Sequence, residues 1–136
     1  MQINLNAFGE NSTRTADSLR AMAGVYMVQG QGDKAEPYLL RAVKGSEVAA
    51  GPDDNMTLVA VWGLCDLYDR WGKPEKSQPC WQRATRIMEK VEGVNSPALK
   101  DSLMSEANAL RKLGRNGEAQ ALEERVVNIQ KAAATQ

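Results

Sequence analysis

The chain has 136 residues, of which 43% are hydrophobic and 25% charged, a composition typical of one ordinary globular domain. Its 17 basic residues balance its 17 acidic ones, and nucleic-acid binding needs a surplus of positive charge. No segment is apolar enough for a membrane helix, and histidine, the commonest general base, is absent. We therefore expect no nucleic acid, no membrane, no metal and no cofactor, and we expect no enzymatic activity.

An internal repeat of 42 residues organises the whole sequence. Glycine, arginine, small residues and helix-capping residues all recur in one register, and the register needs no gap. The recurring sets are Gly9, Gly51 and Gly93; Ser12, Asp54 and Ser96; Gly30, Gly72 and Gly114; Ala35, Ser77 and Ala119; and Arg41, Arg83 and Arg125. We predict one domain over residues 1–136, built from three repeats at about 9–50, 51–92 and 93–131.

The capping residues divide each repeat into two helices, A and B. Ser12, Asp54 and Ser96 are predicted N-caps of helix A, and Pro97 suits the first helical position. The glycines at 30, 72 and 114 are predicted to end helix A, and those at 9, 51 and 93 to end the preceding helix B in a left-handed conformation. The predicted A helices span 13–29, 55–71 and 97–113.

Helix B begins soon after the tight turn. Asp33 and Glu36 have the spacing of a capping box, Pro74 suits the first helical position, and Asn116 is a predicted cap. The predicted B helices span 33–49, 74–91 and 117–131. Small residues occupy matching positions of the two helices, so we expect a close approach of the helices in each hairpin. These are Ala23, Cys65 and Ala107 on helix A and Ala35, Ser77 and Ala119 on helix B.

The spacing of the first repeat resembles a known family. Leu19, Met22, Ala23 and Tyr26, followed by Gly30, have the spacing of the tetratricopeptide repeat (TPR). The stretches GENSTRTADSLRAMAGVY and AEPYLLRAV resemble the longer variant found in kinesin light chains and many bacterial multidomain proteins. The resemblance implies an all-α, right-handed α-solenoid of three helix–turn–helix repeats, and a cytoplasmic, bacterial protein-interaction or scaffolding module.

The two ends of the predicted array differ. In the third repeat, Glu106 and Glu123 replace residues that are apolar in the other repeats, as expected of a capping repeat with a polar outer face. Helix A of the first repeat is as apolar as an internal one. We therefore expect the chain to be the C-terminal fragment of a longer protein, and a homodimer through the uncapped N-terminal end is an alternative to binding of a different partner.

The resemblance also implies where a protein or peptide partner binds, because TPR arrays usually hold their ligands on the concave face of the A helices. The positions carried over by register are Arg20, Met27, Trp62, Asp66, Asp69, Arg70, Met104, Asn108 and Arg111, within a wider set that includes Asp17, Val59 and Asp101. Trp62 is the foremost candidate because an exposed tryptophan among charged residues is typical of a binding hot spot. The alternative, that its ring only fills space in its own groove, stays open.

The remaining special residues have structural interpretations. Trp71 and Trp81 are expected to pack at a helix end and at a helix–helix seam, respectively. Cys65 and Cys80 are expected to be reduced, buried and unreactive thiols, because the sequence places no cation near them. Kinesin-light-chain-type repeats commonly carry an asparagine where this chain has Ala21, Gly63 and Ser105, so a conventional clamp on a peptide backbone is not expected.

Overall fold

The computed structural model describes residues 13–135, and it describes side chains from Ala16 onward. This part of the chain forms six α-helices and one short 3-10 turn, with no strand among the described residues. The helices are α1 (Thr13–Val28), α2 (Gly32–Ala50), α3 (Asn55–Trp71), α4 (Pro74–Glu92), α5 (Lys100–Lys112) and α6 (Asn116–Ala134), and the 3-10 turn at Pro97–Leu99 leads into α5. None of these helices is long and apolar enough to cross a membrane.

The helices pack in the order of the sequence. Each helix contacts the next one along the chain, and α1 also contacts α3 across the first repeat junction. The six small residues of the repeat register are all completely or almost completely buried, as the predicted close approach of each hairpin requires. The prediction of an all-α solenoid is confirmed.

The turn between helices A and B has the same hydrogen bonds in all three repeats. Gly30, Gly72 and Gly114 have φ of +72°, +73° and +79°, a left-handed conformation that favours glycine. The amide of the residue after each glycine donates to the carbonyl five residues earlier: Gln31 to Tyr26 (2.8 Å), Lys73 to Tyr68 (2.9 Å) and Arg115 to Leu110 (2.8 Å). This Schellman motif satisfies carbonyls that the helix end would otherwise leave unpaired.

Other predicted helix ends are partly corrected. The caps at Asp54 and Ser96 are confirmed, since their side chains accept from the amides of Met56 (2.9 Å) and Ala98 (3.1 Å). Gly51 and Gly93 do have positive φ, but their ψ angles of 160° and 156° are extended rather than left-handed helical. The predictions that involve Ser12 and Gly9 lie outside the described residues.

The predicted caps of two B helices are wrong. Helix α2 begins at Gly32, so Asp33 lies within its first turn and caps nothing, while Gln31 is the N-cap without a side-chain bond. Likewise α6 begins at Asn116, and Arg115 is its N-cap. The physical reason is that the Schellman turn leads directly into helix B, which leaves no extended residue at 33 or 116 to serve as a cap.

The arginines of the repeat register form ion pairs between successive B helices. Arg83 on α4 lies 3.4 Å from Glu47 on α2, and Arg125 on α6 lies 2.6 Å from Glu89 on α4. Glu47 and Glu89 are themselves 42 residues apart. The same ion pair is therefore made at both repeat junctions, and pairs this exposed contribute about 0–1 kcal/mol each.

The pKa values of two carboxylates at the repeat junctions are shifted in opposite directions. Glu36 accepts from the Tyr68 hydroxyl (2.6 Å) and from Lys76 Nζ (3.0 Å), and the bond from Tyr68 is the main reason that the pKa of Glu36 is lowered. Glu106 is 6% exposed and accepts from Gln78 Nε2 (3.0 Å), but burial dominates and raises its pKa. The expectation that Glu106 belongs to a polar outer face is wrong, because this position of helix A faces the preceding repeat.

Trp71, at the end of α3, packs against the start of α2 and so connects the first and second hairpins. Its ring lies over the backbone of Gly32, where an added Cβ would come within 2.6 Å of ring atoms. Lys73 Nζ and Lys76 Nζ lie 5.1 and 5.5 Å from the centre of the same ring, within the range of a cation–π interaction. The prediction that Trp71 packs at a helix end is confirmed.

Replacing Gly32 by alanine is expected to lower the free energy of unfolding by about 1–3 kcal/mol, because the new methyl group overlaps the Trp71 ring. The matched control is Gly24→Ala in the interior of α1, where an added Cβ meets nothing within 4 Å. That change is expected to raise stability by about 0.5–1 kcal/mol, since alanine is the better helix former. Urea unfolding followed by circular dichroism measures both, and equal effects of the two substitutions would contradict the packing described for Trp71.

Glu106→Gln and Glu36→Gln are expected to shift stability in opposite directions at neutral pH. Because the pKa of Glu106 is raised on folding, its ionisation costs stability once the pH exceeds the unfolded value of about 4.3, so Glu106→Gln is expected to stabilise by about 1 kcal/mol at pH 7. Because the pKa of Glu36 is lowered, its contribution is present above that value and is lost on acidification, so Glu36→Gln is expected to destabilise by about 1 kcal/mol at pH 7.

The measurement is the urea midpoint of each variant at several values between about pH 4 and pH 8. Both differences from the parent protein are expected to shrink towards the acid end. A Glu106→Gln variant that is less stable than the parent at pH 7 would show that the bond from Gln78 outweighs the cost of burial.

Candidate partner-binding face

The A helices α1, α3 and α5 form one side of the stack, which we call the A-helix face, and Trp62 lies near its middle. Trp62 is 37% exposed, against the near-complete burial of its neighbours Val61 and Ala60 on the same helix. The next residue is Gly63, where an added Cβ would lie 3.4 Å from Leu39 and 3.8 Å from Arg20 of the first repeat, in ordinary van der Waals contact. The Trp62 ring contributes to the walls of two separate cavities.

The first cavity lies between the N-terminal halves of α1 and α3 and has a volume of about 530 Å³. Arg20 and Trp62 line it, as do Asp17, Val59 and Glu92. Arg20 pairs with Asp17 on the same helix, so its guanidinium is held along the wall of the cavity. The lining is largely apolar with charges at the edge, which is the usual composition of a site that takes a side chain of a partner.

Ser46 on α2 also lines the first cavity. The residue is completely buried, and its Oγ is the one buried side-chain oxygen or nitrogen without a hydrogen-bond partner among the described residues. A buried hydroxyl without a partner costs about 1–3 kcal/mol. The unpaired hydroxyl therefore lies beneath the lining of the cavity, where it costs stability.

The second cavity, of about 310 Å³, lies between the second and third repeats. Trp62 of α3 and Trp81 of α4 line it together with Met88, and Asp101 lies at its third-repeat side. Trp81 is held in place because its Nε1 donates to Asp69 Oδ2 over 2.9 Å. The prediction that Trp81 packs at a helix–helix seam is confirmed.

Three other predicted site residues of the first two repeats lie away from the two Trp62 cavities. Met27 and Arg70 line a smaller cavity of about 120 Å³ near Trp71, at the opposite end of the A helices. Asp66 pairs with Arg70 at 3.1 Å on the exposed side of α3. The structure thus brings Arg20 and Trp62 together at one cavity, and Met27 and Arg70 at another.

Of the predicted residues of the third repeat, Asp101 lines the second cavity with Trp62, whereas Met104, Asn108 and Arg111 line none of these cavities. Met104 packs against the hydrophobic core, and Asn108 is exposed. Arg111 binds Glu123 of α6, and this hydrogen bond holds the pKa of the Arg111 guanidinium above its ordinary value. Asp69 is likewise engaged within the chain by Trp81.

Sequence reasoning missed several residues of the two cavities. Four of them lie on B helices, whereas the register argument considered only A helices: Ser46, Trp81, Met88 and Glu92. They line the cavities because the B helices form the floor between neighbouring A helices. Trp81 was predicted only to pack at a helix–helix seam, and no signal in the sequence joined it to Trp62.

Comparison with known proteins agrees with this architecture. Residues 15–55 match the family model described as tetratricopeptide repeat. This segment of the chain is thus similar to one tetratricopeptide repeat. None of the curated proteins matches the sequence significantly.

Solved structures extend the likeness to the whole TPR array. BtubC (BKLC) from P. vanneervenii is 21% identical with a TM-score of 0.84, and the match covers 97% of this chain and 53% of that one. A Podosopora anserina protein of kinesin light chain type, with nearly identical TPR-like repeats, is 22% identical with a TM-score of 0.71, over 88% of this chain and 57% of that one. The TPR domain of Arabidopsis FLU is 13% identical with a TM-score of 0.71, over 89% and 99% of the two chains.

These matches show that the fold is that of a TPR-like α-solenoid, similar to the repeats of a protein of kinesin light chain type. The predicted resemblance is therefore confirmed. The chain spans little more than half the length of the first two solved structures. Their activities and partners belong to those longer proteins, and what this TPR array binds has to be argued from its own surface.

Trp62→Ala is expected to cost less than about 1 kcal/mol in stability, because the ring is partly exposed and lines cavities rather than the core. Trp81→Ala is expected to cost about 3 kcal/mol or more, because it removes a packed ring and leaves Asp69 without its donor. Urea unfolding of both variants is the measurement. A cost of Trp62→Ala comparable to that of Trp81→Ala would show that Trp62 is mainly a packing residue.

Proposed function

We propose that this TPR array is a protein-interaction module that binds a protein or peptide segment on the A-helix face, with Trp62 as the principal contact. TPR arrays are in general non-catalytic modules for binding proteins, and this supports the broad class. The observation that carries the proposal for this chain is the position of Trp62, whose partly exposed ring lines the cavities on both sides of α3. Tryptophan is strongly enriched among residues that dominate binding energy at protein interfaces.

The lining of the cavities suggests the chemistry of the bound segment. Both cavities are mainly apolar, which favours an apolar side chain as the anchor. Asp101 and Glu92 stand at their edges, while Arg20 is already paired with Asp17. We infer a ligand with an apolar anchor residue flanked by lysine or arginine.

The proposal predicts which peptides the chain selects and which substitution abolishes the selection. A displayed library of random peptides, panned against the folded chain, is expected to enrich sequences with an apolar residue next to a basic one. Binding of an enriched peptide, measured by fluorescence anisotropy, is expected to weaken by at least tenfold with Trp62→Ala, as for a hot-spot residue. Asp101→Asn is expected to weaken binding by a smaller factor than Trp62→Ala. That factor is expected to be larger at low salt, where charges are screened less.

Val127→Ala is the matched control, because Val127 is an exposed apolar residue on α6, away from both cavities. Its binding is expected to equal that of the parent chain. Enriched peptides that bind Trp62→Ala and the parent chain equally would place the interaction elsewhere and overturn the proposed site. Unfolding curves of the same samples separate lost binding from lost structure.

Self-association is the second candidate function, and exposed valines of the first repeat favour it. Val28 and Val25 on α1 are 86% and 45% exposed, and Val48 on α2 is also exposed. Sedimentation over a range of concentrations tests self-association. Val28→Lys is expected to abolish an oligomer that forms through the first repeat. A monomer at all concentrations would remove this candidate and leave peptide binding unaffected.

A further inference from the structure

The two cysteines of the chain face each other across the hairpin of the middle repeat. Cys65 lies on α3 and Cys80 on α4, and their sulfur atoms are 2.6 Å apart. Both are free thiols, and Cys80 Sγ also lies 3.6 Å from the carbonyl oxygen of Val61. The sequence contains no other cysteine. Each thiol therefore has one possible partner within the chain, and the fold places it alongside.

The separation of the sulfur atoms is close to that of a covalent bond. A disulfide has a sulfur–sulfur length of about 2.05 Å, so the two atoms need to approach by only about half an ångström. The helices that carry them are already packed against each other as a hairpin. The fold thus already brings the two sulfur atoms together. The sequence analysis interpreted the two cysteines as unreactive thiols and did not predict that they lie side by side.

We propose that Cys65 and Cys80 are an oxidation site at which hydrogen peroxide forms a reversible intramolecular disulfide between α3 and α4. One thiol attacks a peroxide oxygen, which breaks the O–O bond, releases water and leaves a sulfenic acid. The second thiol then attacks that sulfur, the S–S bond forms, and a second water leaves. Two thiols and one peroxide give one disulfide and two waters, so the two electrons lost by sulfur reduce the peroxide.

Burial determines the order of the two steps. Cys65 is completely buried, whereas Cys80 is 9% exposed and lies nearer to solvent. Burial also raises the pKa of the Cys65 thiol, which leaves little of the reactive thiolate at that position. Cys80 is therefore the thiol that meets the peroxide, and Cys65 resolves the sulfenic acid. In a reducing compartment the pair rests as two thiols and is restored by small thiols after oxidation.

The disulfide would act on the walls of the candidate binding face. Trp62 precedes Cys65 by almost one helical turn, and Trp81 directly follows Cys80. These two rings are the facing walls of the second cavity. A link between α3 and α4 fixes the separation of the helices that carry them, and it closes a loop that contains the Gly72 turn. The proposal does not depend on what, if anything, the face binds.

The experiment counts free thiols in the folded chain before and after treatment with hydrogen peroxide. After the peroxide is removed, the chain is denatured, alkylated and analysed by mass spectrometry. Alkylation is expected to fall from both cysteines to neither, and dithiothreitol is expected to restore both. Trypsin is expected to release a linked pair of peptides, residues 45–70 and residues 77–83, which contain Cys65 and Cys80. Oxidised methionines in the same spectra show that the peroxide has acted.

Cys65→Ala is the matched control, since the other two repeats carry Ala23 and Ala107 at this position of the register. In this variant Cys80 is expected to stop at the sulfenic acid and to be captured by a sulfenic-acid reagent. The melting temperature of the oxidised parent chain is expected to rise by several degrees and to return with dithiothreitol, because the link restricts the unfolded chain; Cys65→Ala is expected to show no such rise.

Three results would overturn the proposal. Both thiols remain open to alkylation although methionines are oxidised; Cys80 is driven to the sulfinic acid while Cys65 stays free; or the link joins two chains, as a non-reducing gel would show. A disulfide that forms without any rise in melting temperature would overturn the inferred restraint on the hairpin.

Discussion

The left-handed glycine between helices A and B is the constraint on which the rest of the structure depends. At Gly30, Gly72 and Gly114 the chain must reverse within a few residues, and a side chain at such a φ would be strained. The Schellman hydrogen bonds then fix the angle at which helix B returns. In every hairpin the small residues of the repeat register are buried. The stack follows from one backbone turn made three times.

The repeat junctions are less uniform than the hairpins. The first junction places apolar residues such as Leu39, Leu58 and Val61 in the core. The second also buries apolar residues, such as Ile87 and Leu103, and adds buried polar pairs: Thr85 Oγ1 lies 2.5 Å from Ser102 Oγ, and Gln78 binds Glu106. Polar pairs that satisfy each other can be buried at little net cost. The second junction therefore combines apolar packing with directional hydrogen bonds.

The sequence predicted the order and type of the elements because the repeat supplies three observations of each signal. A glycine or a capping residue that recurs at one spacing carries far more information than a single occurrence, so the turns at 30, 72 and 114 and the caps at 54 and 96 are correct. Local signals that occur once were less dependable. Asp33 and Glu36 match a capping box, yet Glu36 is used by Tyr68 and Lys76 of the next repeat, a tertiary contact that no local pattern contains.

In the candidate site, too, the repeat register predicted some residues, while others depend on tertiary packing. Periodicity placed Trp62 on an exposed face of α3, and its partial exposure agrees. The residues opposite it, Trp81 and Met88, could not be found in this way, because they lie on a helix that the register assigns to the other side of each hairpin. Glu106 was misassigned for a related reason. A repeat pattern shows that a position faces a neighbour, but it does not show whether that neighbour precedes or follows.

All three tryptophans and both cysteines belong to the middle repeat, and the geometry of a stack explains why specialised residues gather there. A cavity in such an array lies between repeats, so only the repeat with a neighbour on each side can line two of them, as Trp62 does. A change in the hairpin of the middle repeat can therefore alter the cavities on both sides of it. A restraint on α3 and α4 acts on both cavities at once, whereas a restraint on α1 and α2, or on α5 and α6, would reach one.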